Sequence, residues 1–172
     1  RKLLSGGIFL RIHYHGHSCV QISTNGHSLI LDPFLTGNPV AVAKADDIHV
    51  QYVLLSHAHS DHMADAVAIA KRNHATAVAT FELSSYLEFQ GVKTHAMNIG
   101  GSYEFPFGRV KMTQAYHSSG IVDPETRQIT YMGMPAGFVL TIEGRNLYFA
   151  GDTCLFSDMK LIGERQKIDV AF

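Results

Sequence analysis

The sequence is short of cysteine, of net charge and of long apolar runs, and each shortage excludes a class of protein. Only two of its 172 residues are cysteine, Cys19 and Cys154. Two thiols so far apart make neither a disulfide framework nor a close metal pair, so nothing demands an oxidising compartment and the cytoplasm is the expectation. Cys19 sits in a strand-like run and reads as a small core residue. Cys154 follows Gly151-Asp152-Thr153 and reads as a packed thiol beside whatever those residues build. The formal net charge is -1, so no basic surplus argues for nucleic acid or a membrane as partner. No apolar run approaches the ~20 residues that span a bilayer. The start, Arg1-Lys2-Leu3-Leu4, is basic then apolar but too short for a secretory signal.

What is present is 46% hydrophobic and 17% charged, the profile of one soluble globular domain with a full core. Its densest chemistry is His57-Ala58-His59-Ser60-Asp61-His62, set between the apolar run Tyr52-Val53-Leu54-Leu55-Ser56 and an Ala-rich segment with helical spacing. Imidazoles and carboxylates are ligands for zinc and related metals. Histidines also cluster on solvated loops, but such a cluster needs no buried strand delivering it and no helix receiving it. Alternate side chains of an extended segment point the same way, so His57 and His59 reach one ion together. Asp61 and His62 come after the chain turns and face a second.

The rest alternates strands and helices. Ile8 to His15 and His17 to Ser23 read as strands, Asn25-Gly26 as a two-residue hairpin turn, and His27 to Leu31 as the returning strand. Along the first of these His13, His15 and His17 alternate; they read as structural residues, with His17 at the rim of a pocket. Thr36 to His49 reads as a loop. The spacing predicts helices over 64–73 and 81–90 and strands over 52–56, 76–79, 94–97, 103–105 and 110–115. Residues 123–127 read as an exposed turn, 138–142 and 146–150 as a hairpin, 158–163 as a short helix and 168–172 as the start of a buried strand. Two isolated groups stand at strand ends: His117, ahead of Ser118-Ser119-Gly120, and Asp152, after Gly151, which permits a tight backbone approach.

The His-x-His-x-Asp-His motif resembles the signature of the metallo-β-lactamase superfamily. Further segments narrow the match: His15-Gly16-His17-Ser18, Leu31-Asp32-Pro33-Phe34, Met97-Asn98-Ile99-Gly100-Gly101, His117-Ser118-Ser119, Gly133-Met134-Pro135-Ala136-Gly137 and Gly151-Asp152-Thr153. Together they resemble a bacterial family of metal-dependent hydrolases related to the lactonase-like branch. The resemblance covers 12–172 and leaves 1–11 as a lead-in of uncertain origin.

The resemblance implies an α/β fold, a metallo-β-lactamase-like αββα sandwich. It makes His117 the third ligand of the first ion, with His57 and His59. It makes Asp152 the bridge to a second ion, held by Asp61 and His62, and it brings Asp32 close to the centre. Asp32 is there either to fix a ligand imidazole from the second shell or as a turn aspartate bonding its own backbone. Similar proteins continue past the last strand and supply a further histidine, so the fold and the second ion are expected to be incomplete here and the chain to associate into a homo-oligomer. The expected cofactor is a divalent metal, two Zn2+ ions, with Mn2+ or Fe2+ as alternatives. The expected function is hydrolysis of an ester, lactone or phosphoester-type bond in a small-molecule substrate by a metal-bound hydroxide, with Asp61 as the catalytic carboxylate. The alternatives are a metal-binding or interaction domain without turnover and a di-iron redox enzyme. The latter class carries a carboxylate where His59 stands.

Overall fold

The computed structural model describes residues 10–172. The proposed lead-in therefore lies almost wholly outside the described residues. The first sheet begins with the antiparallel strands β1 (Arg11–Gly16), β2 (Cys19–Thr24) and β3 (His27–Leu31), and continues in parallel through β4 (Tyr52–Leu54), β5 (Thr76–Thr80) and β6 (Lys93–Met97). A one-turn helix α1 (Ser60–Met63), α2 (Ala66–Asn73) and α3 (Phe81–Phe89) connect the parallel strands. The second sheet has the order β13-β12-β11-β8-β7, built from β7 (Ser102–Phe105), β8 (Gly108–Gln114), β11 (Ala136–Ile142), β12 (Arg145–Phe149) and β13 (Val170–Ala171). A two-stranded ribbon, β9 (Gly120–Asp123) with β10 (Gln128–Tyr131), stands apart, and α4 (Asp158–Arg165) follows β12.

Side-chain alternation explains the near-continuous apolar runs of β3 to β5. Ile30, Val53, Ala77 and Ala79 face one way and pack with Ile69 of α2 and Leu83 and Leu87 of α3. Leu29, Leu31, Leu54 and Val78 face the other way and meet Met112, Phe138 and Leu140 of the second sheet. A strand covered on both faces has no polar side to show. Each of the Val, Leu, Ile, Phe and Met side chains among them contributes about 1.5–3 kcal/mol by leaving water. The sheet-on-sheet contact with helices outside gives the expected α/β sandwich.

Three expectations change. The helix over 64–73 begins only at Ala66, behind the separate one-turn helix α1, and Asp65 at its start turns its carboxylate away to accept hydrogen bonds from Leu35 N at 2.7 Å, Thr36 N at 2.8 Å and Thr36 Oγ1 at 2.7 Å. The turn at 123–127 is the tip of the β9–β10 hairpin. The strand begun near Ile168 is only two residues long and exposed, not buried, because β13 lies at the sheet's edge, paired only with β12. No described helix is long and apolar enough to cross a membrane.

Candidate metal centre

The site lies where β1, β3, β4, β8 and β12 deliver their following loops to one end of the sandwich. Cross-links hold those loops in place. Ala58 N donates to Ser119 Oγ at 3.2 Å, Ala136 N to Ser56 O at 2.9 Å, and Tyr116 N to Thr153 Oγ1 at 2.9 Å. The segments carrying His57, His117 and Asp152 are thus fixed against one another. Gly151 has φ +66°, and a Cβ on it would sit 2.7 Å from Ala136 O and 3.1 Å from Ser56 Cβ. Glycine is what lets the chain cross there and turn Asp152 inward.

Three imidazoles converge. His57, His59 and His117 each offer a nitrogen within 4.8 Å of the other two, and His57 Nε2 lies 3.0 Å from His59 Nδ1. Ser56 decides which nitrogen of His57 is free. Its hydroxyl donates to Asp32 Oδ2 at 2.5 Å, so at 2.9 Å it accepts from His57 Nδ1–H. His57 then presents the lone pair of Nε2. His59 Nε2 faces Ser118 Oγ at 3.3 Å, which leaves Nδ1 for the centre. Burial, then the neighbouring His62, His59 and His117 imidazoles, pushes His57 down to about 2. Burial and His117 lower His59 as well. Neutral imidazole is the form that binds a metal.

The second set is built on His62, which is fully buried. Its Nδ1–H donates to Asp32 Oδ2 at 2.8 Å, so its Nε2 points at Asp152 Oδ2, 3.4 Å away. Asp152 Oδ2 is also 3.7 Å from His117 Nε2 and so stands between the two sets. Asp61 belongs to a separate cluster with His62 and His17. Burial pushes the Asp32 carboxyl up, against the pull of His62 and the two Ser56 donors. Burial would lower His62, but Asp32, Asp152 and Asp61 together hold it above its usual value. The pair is joined by the hydrogen bond between His62 Nδ1 and Asp32 Oδ2.

The structure brings the expected residues into overlapping groups: His57, His59 and His117; Asp61 and His62 with His17; and Asp32 with His57 and His62; Asp152 lies beside His62 and His117 without joining a group of three among the described residues. Asp32 is not a turn aspartate bonding itself. Its carboxylate accepts from His62 Nδ1, Ser56 N and Ser56 Oγ. Sequence reasoning gave no weight to Ser56, and it placed His17 only at the rim. The donors fit metal ions. Bond lengths of ~2.0–2.2 Å in a tetrahedral site put neighbouring donors about 3.3–3.6 Å apart, close to the 3.0, 3.4 and 3.7 Å separations here.

Comparison with known proteins agrees. Residues 27–172 match the beta-lactamase superfamily domain. A UPF0173 metal-dependent hydrolase of Bacillus cereus is 59% identical over 163 residues, 95% of this chain and 72% of that protein. The chain belongs to the UPF0173 metal-dependent hydrolase family of the beta-lactamase superfamily. Among solved structures, Igni18, a metallo hydrolase of the archaeon Ignicoccus hospitalis, superposes on this family member with a TM-score of 0.82 at 31% identity, covering 94% of this chain and 69% of the other. The diiron β-hydroxylase CmlA of Streptomyces venezuelae shares the fold at a TM-score of 0.73 and 19% identity, covering 95% of this chain and 34% of its own.

Proposed function

We propose that the protein is a hydrolase of ester, lactone or phosphoester-type bonds that works with two divalent ions, zinc being the first choice, on a small-molecule substrate in the cytoplasm. The observation that carries this is Asp152 Oδ2, 3.4 Å from His62 Nε2 and 3.7 Å from His117 Nε2. One carboxylate thereby joins the trio His57, His59 and His117 to the set containing Asp61 and His62. Bound ions supply a water nucleophile at neutral pH and polarise the oxygen of the scissile bond.

The chain's own groups do the rest. The buried Asp32 fixes the tautomer and angle of His62, and Ser56 does the same for His57. Asp61, half-buried at the mouth, orients the attacking water and accepts its proton. Beside it lies a cleft of about 470 Å³ walled by Met63, Val67, Tyr86, Ile121 and Val122, with His59 and Asp61 at its polar end. Its size suits a small substrate. A redox role is less well supported, because His59 supplies an imidazole where the di-iron class carries a carboxylate, and CmlA's likeness extends to fold alone.

The reading also includes self-association. Val122 and Ile129 are cross-strand partners on the β9–β10 hairpin, 66% and 77% exposed, and Tyr131 is 65% exposed on the same ribbon. A projecting apolar ribbon of this kind favours pairing with a second copy.

The test is metal content of protein purified without added metal, followed by hydrolysis assays on ester, lactone and phosphodiester panels. Two ions per chain and turnover lost in Asp61→Asn are expected. Two ions with no turnover on any class would leave a metal-binding domain without hydrolytic function. No metal after incubation with zinc or manganese would overturn the proposal.

A further inference from the structure

The hydrolase reading uses six ligands and leaves His17 without a task, yet the structure aims this side chain at the second donor set. His17 Nε2 lies 3.1 Å from Asp61 Oδ2 and 3.3 Å from His62 Nε2, while His62 Nε2 is 3.4 Å from Asp152 Oδ2. We propose that His17 is a ligand of the second ion, grouped with Asp61 and His62, with Asp152 reaching that group from the far side of His62. The inference rests on the two-ion reading above and deepens it.

Three observations carry it. The first is spacing. His17, Asp61 and His62 offer ligand atoms all within 4.8 Å of one another, and the His17 separations of 3.1 and 3.3 Å lie close to the about 3.3–3.6 Å between donors around a tetrahedral zinc. Two imidazole nitrogens 3.3 Å apart with the Asp61 carboxylate beside them are a donor group that a cation satisfies.

The second is backbone conformation. The β1–β2 register shifts between Tyr14 and Gly16, and the chain then enters left-handed space, with φ +104° at Gly16 and +56° at His17. A Cβ on Gly16 would collide with Val40. A histidine held at positive φ is uncommon and costs on the order of 1–3 kcal/mol, the kind of strain that persists where a side chain must be aimed. Tyr14 Oη steadies the turn by donating to His17 O at 2.8 Å, and Phe34 sets its ring edge-on to the imidazole at 5.6 Å.

The third is contrast within one strand. His13 and His15 stack on each other at 4.2 Å, and His15 Nε2 pairs with Gln21 Oε1 at 3.1 Å. Both have ordinary structural partners. Regular alternation would have carried His17 with them, and the register shift turns it into the centre instead.

The experiment is Co2+ titration of the metal-stripped protein, read by visible absorption and by calorimetry. The variants are His17→Ala and His17→Asn, the latter because asparagine tolerates left-handed backbone and removes the imidazole. Wild type is expected to take two ions. Both variants are expected to keep one at unchanged affinity and to bind the other at least about tenfold more weakly, with unaltered circular dichroism. His59→Ala should weaken the opposite ion, which identifies the two sites. Two ions at wild-type affinity in His17→Asn would overturn the proposal, as would a wild type that takes one ion, which spares the trio of His57, His59 and His117. A wild type that takes one ion or none would overturn the two-ion reading as well.

Discussion

Asp32 and His62 are locked together out of reach of water: both side chains are fully buried, and the imidazole Nδ1–H donates to Oδ2 across 2.8 Å. Asp32 also sits at φ +42°, so the pair is made at a cost in backbone strain. It serves to hold His62 Nε2 toward Asp152. Asp32→Asn keeps the shape and suits the left-handed backbone, but it replaces the acceptor of the His62 proton and Ser56 donors with a weaker one. The expected result is a fold that survives and a second-ion affinity lowered about 10–100-fold, measured by zinc competition against a chromophoric chelator. Unchanged affinity would remove Asp32 from the site's machinery.

Metal-free protein should lose stability as the pH falls below about 6.5. The unfolded chain protonates His57 near that value, whereas the folded chain holds it neutral down to about 2. Across that window the unfolded state binds more protons, so stability drops with pH. His59, also lowered, acts in the same direction. His62 is raised and contributes the opposite sign, a stabilisation present below its unfolded value and lost as pH rises through its folded one. Urea midpoints at pH 7.5 and pH 5 check the balance. His57→Gln should narrow the gap between them, and a gap as wide as wild type would show that His57 is not its main source.

Bound metal should raise the unfolding temperature, because the donors are assembled only in the folded chain. Adding zinc to stripped protein is expected to shift the midpoint upward with concentration, at about 2.7 kcal/mol for a hundredfold excess over the dissociation constant. Scanning calorimetry across a zinc series measures it. A midpoint independent of zinc would mean that the donors hold no ion.

Much of this was legible in the sequence because the signals are local. Asn25-Gly26 fixes the β2–β3 hairpin, and the apolar run before His57 announces a strand covered on both faces. The donor side chains of the His-x-His-x-Asp-His motif fall together because six consecutive residues cannot be far apart. What was hidden depends on long-range or conformational facts. The aim of His17 is set by a register shift against β2 and by a positive φ, neither of which alternation encodes. The β10 strand is exposed at all four residues, so its alternating Ile129 and Tyr131 pack on no core that would mark the strand. Asp65 looks like a helix residue until Leu35 and Thr36, thirty residues earlier, supply its partners.

The two cysteines should differ sharply in reactivity. Cys19 is buried, and burial pushes its thiol up to about 12. Cys154 is exposed. The thiolate is the attacking species, so native protein at pH 8 should be alkylated by iodoacetamide at one residue, Cys154, as read by peptide mass spectrometry. Labelling of Cys19 should require denaturant. Equal native labelling would place Cys19 outside the helix-side core.

Gly151→Ala tests how the chain delivers Asp152, the carboxylate proposed to bridge. The added methyl meets Ala136 O at 2.7 Å and Ser56 Cβ at 3.1 Å, on a backbone already at φ +66°. Neither neighbour is free to move. Ala136 N is bonded to Ser56 O at 2.9 Å, and Ser56 is held by Asp32 through both its amide and its hydroxyl. Relief must come from residue 151 itself, which swings Asp152 away from His62 and His117. The expected loss is on the order of 1–3 kcal/mol of stability, together with weaker binding of both ions. A variant with lowered stability but wild-type affinity for two ions would show that Asp152 tolerates displacement and does not bridge. Chemical denaturation and metal titration on the same preparation separate the two effects.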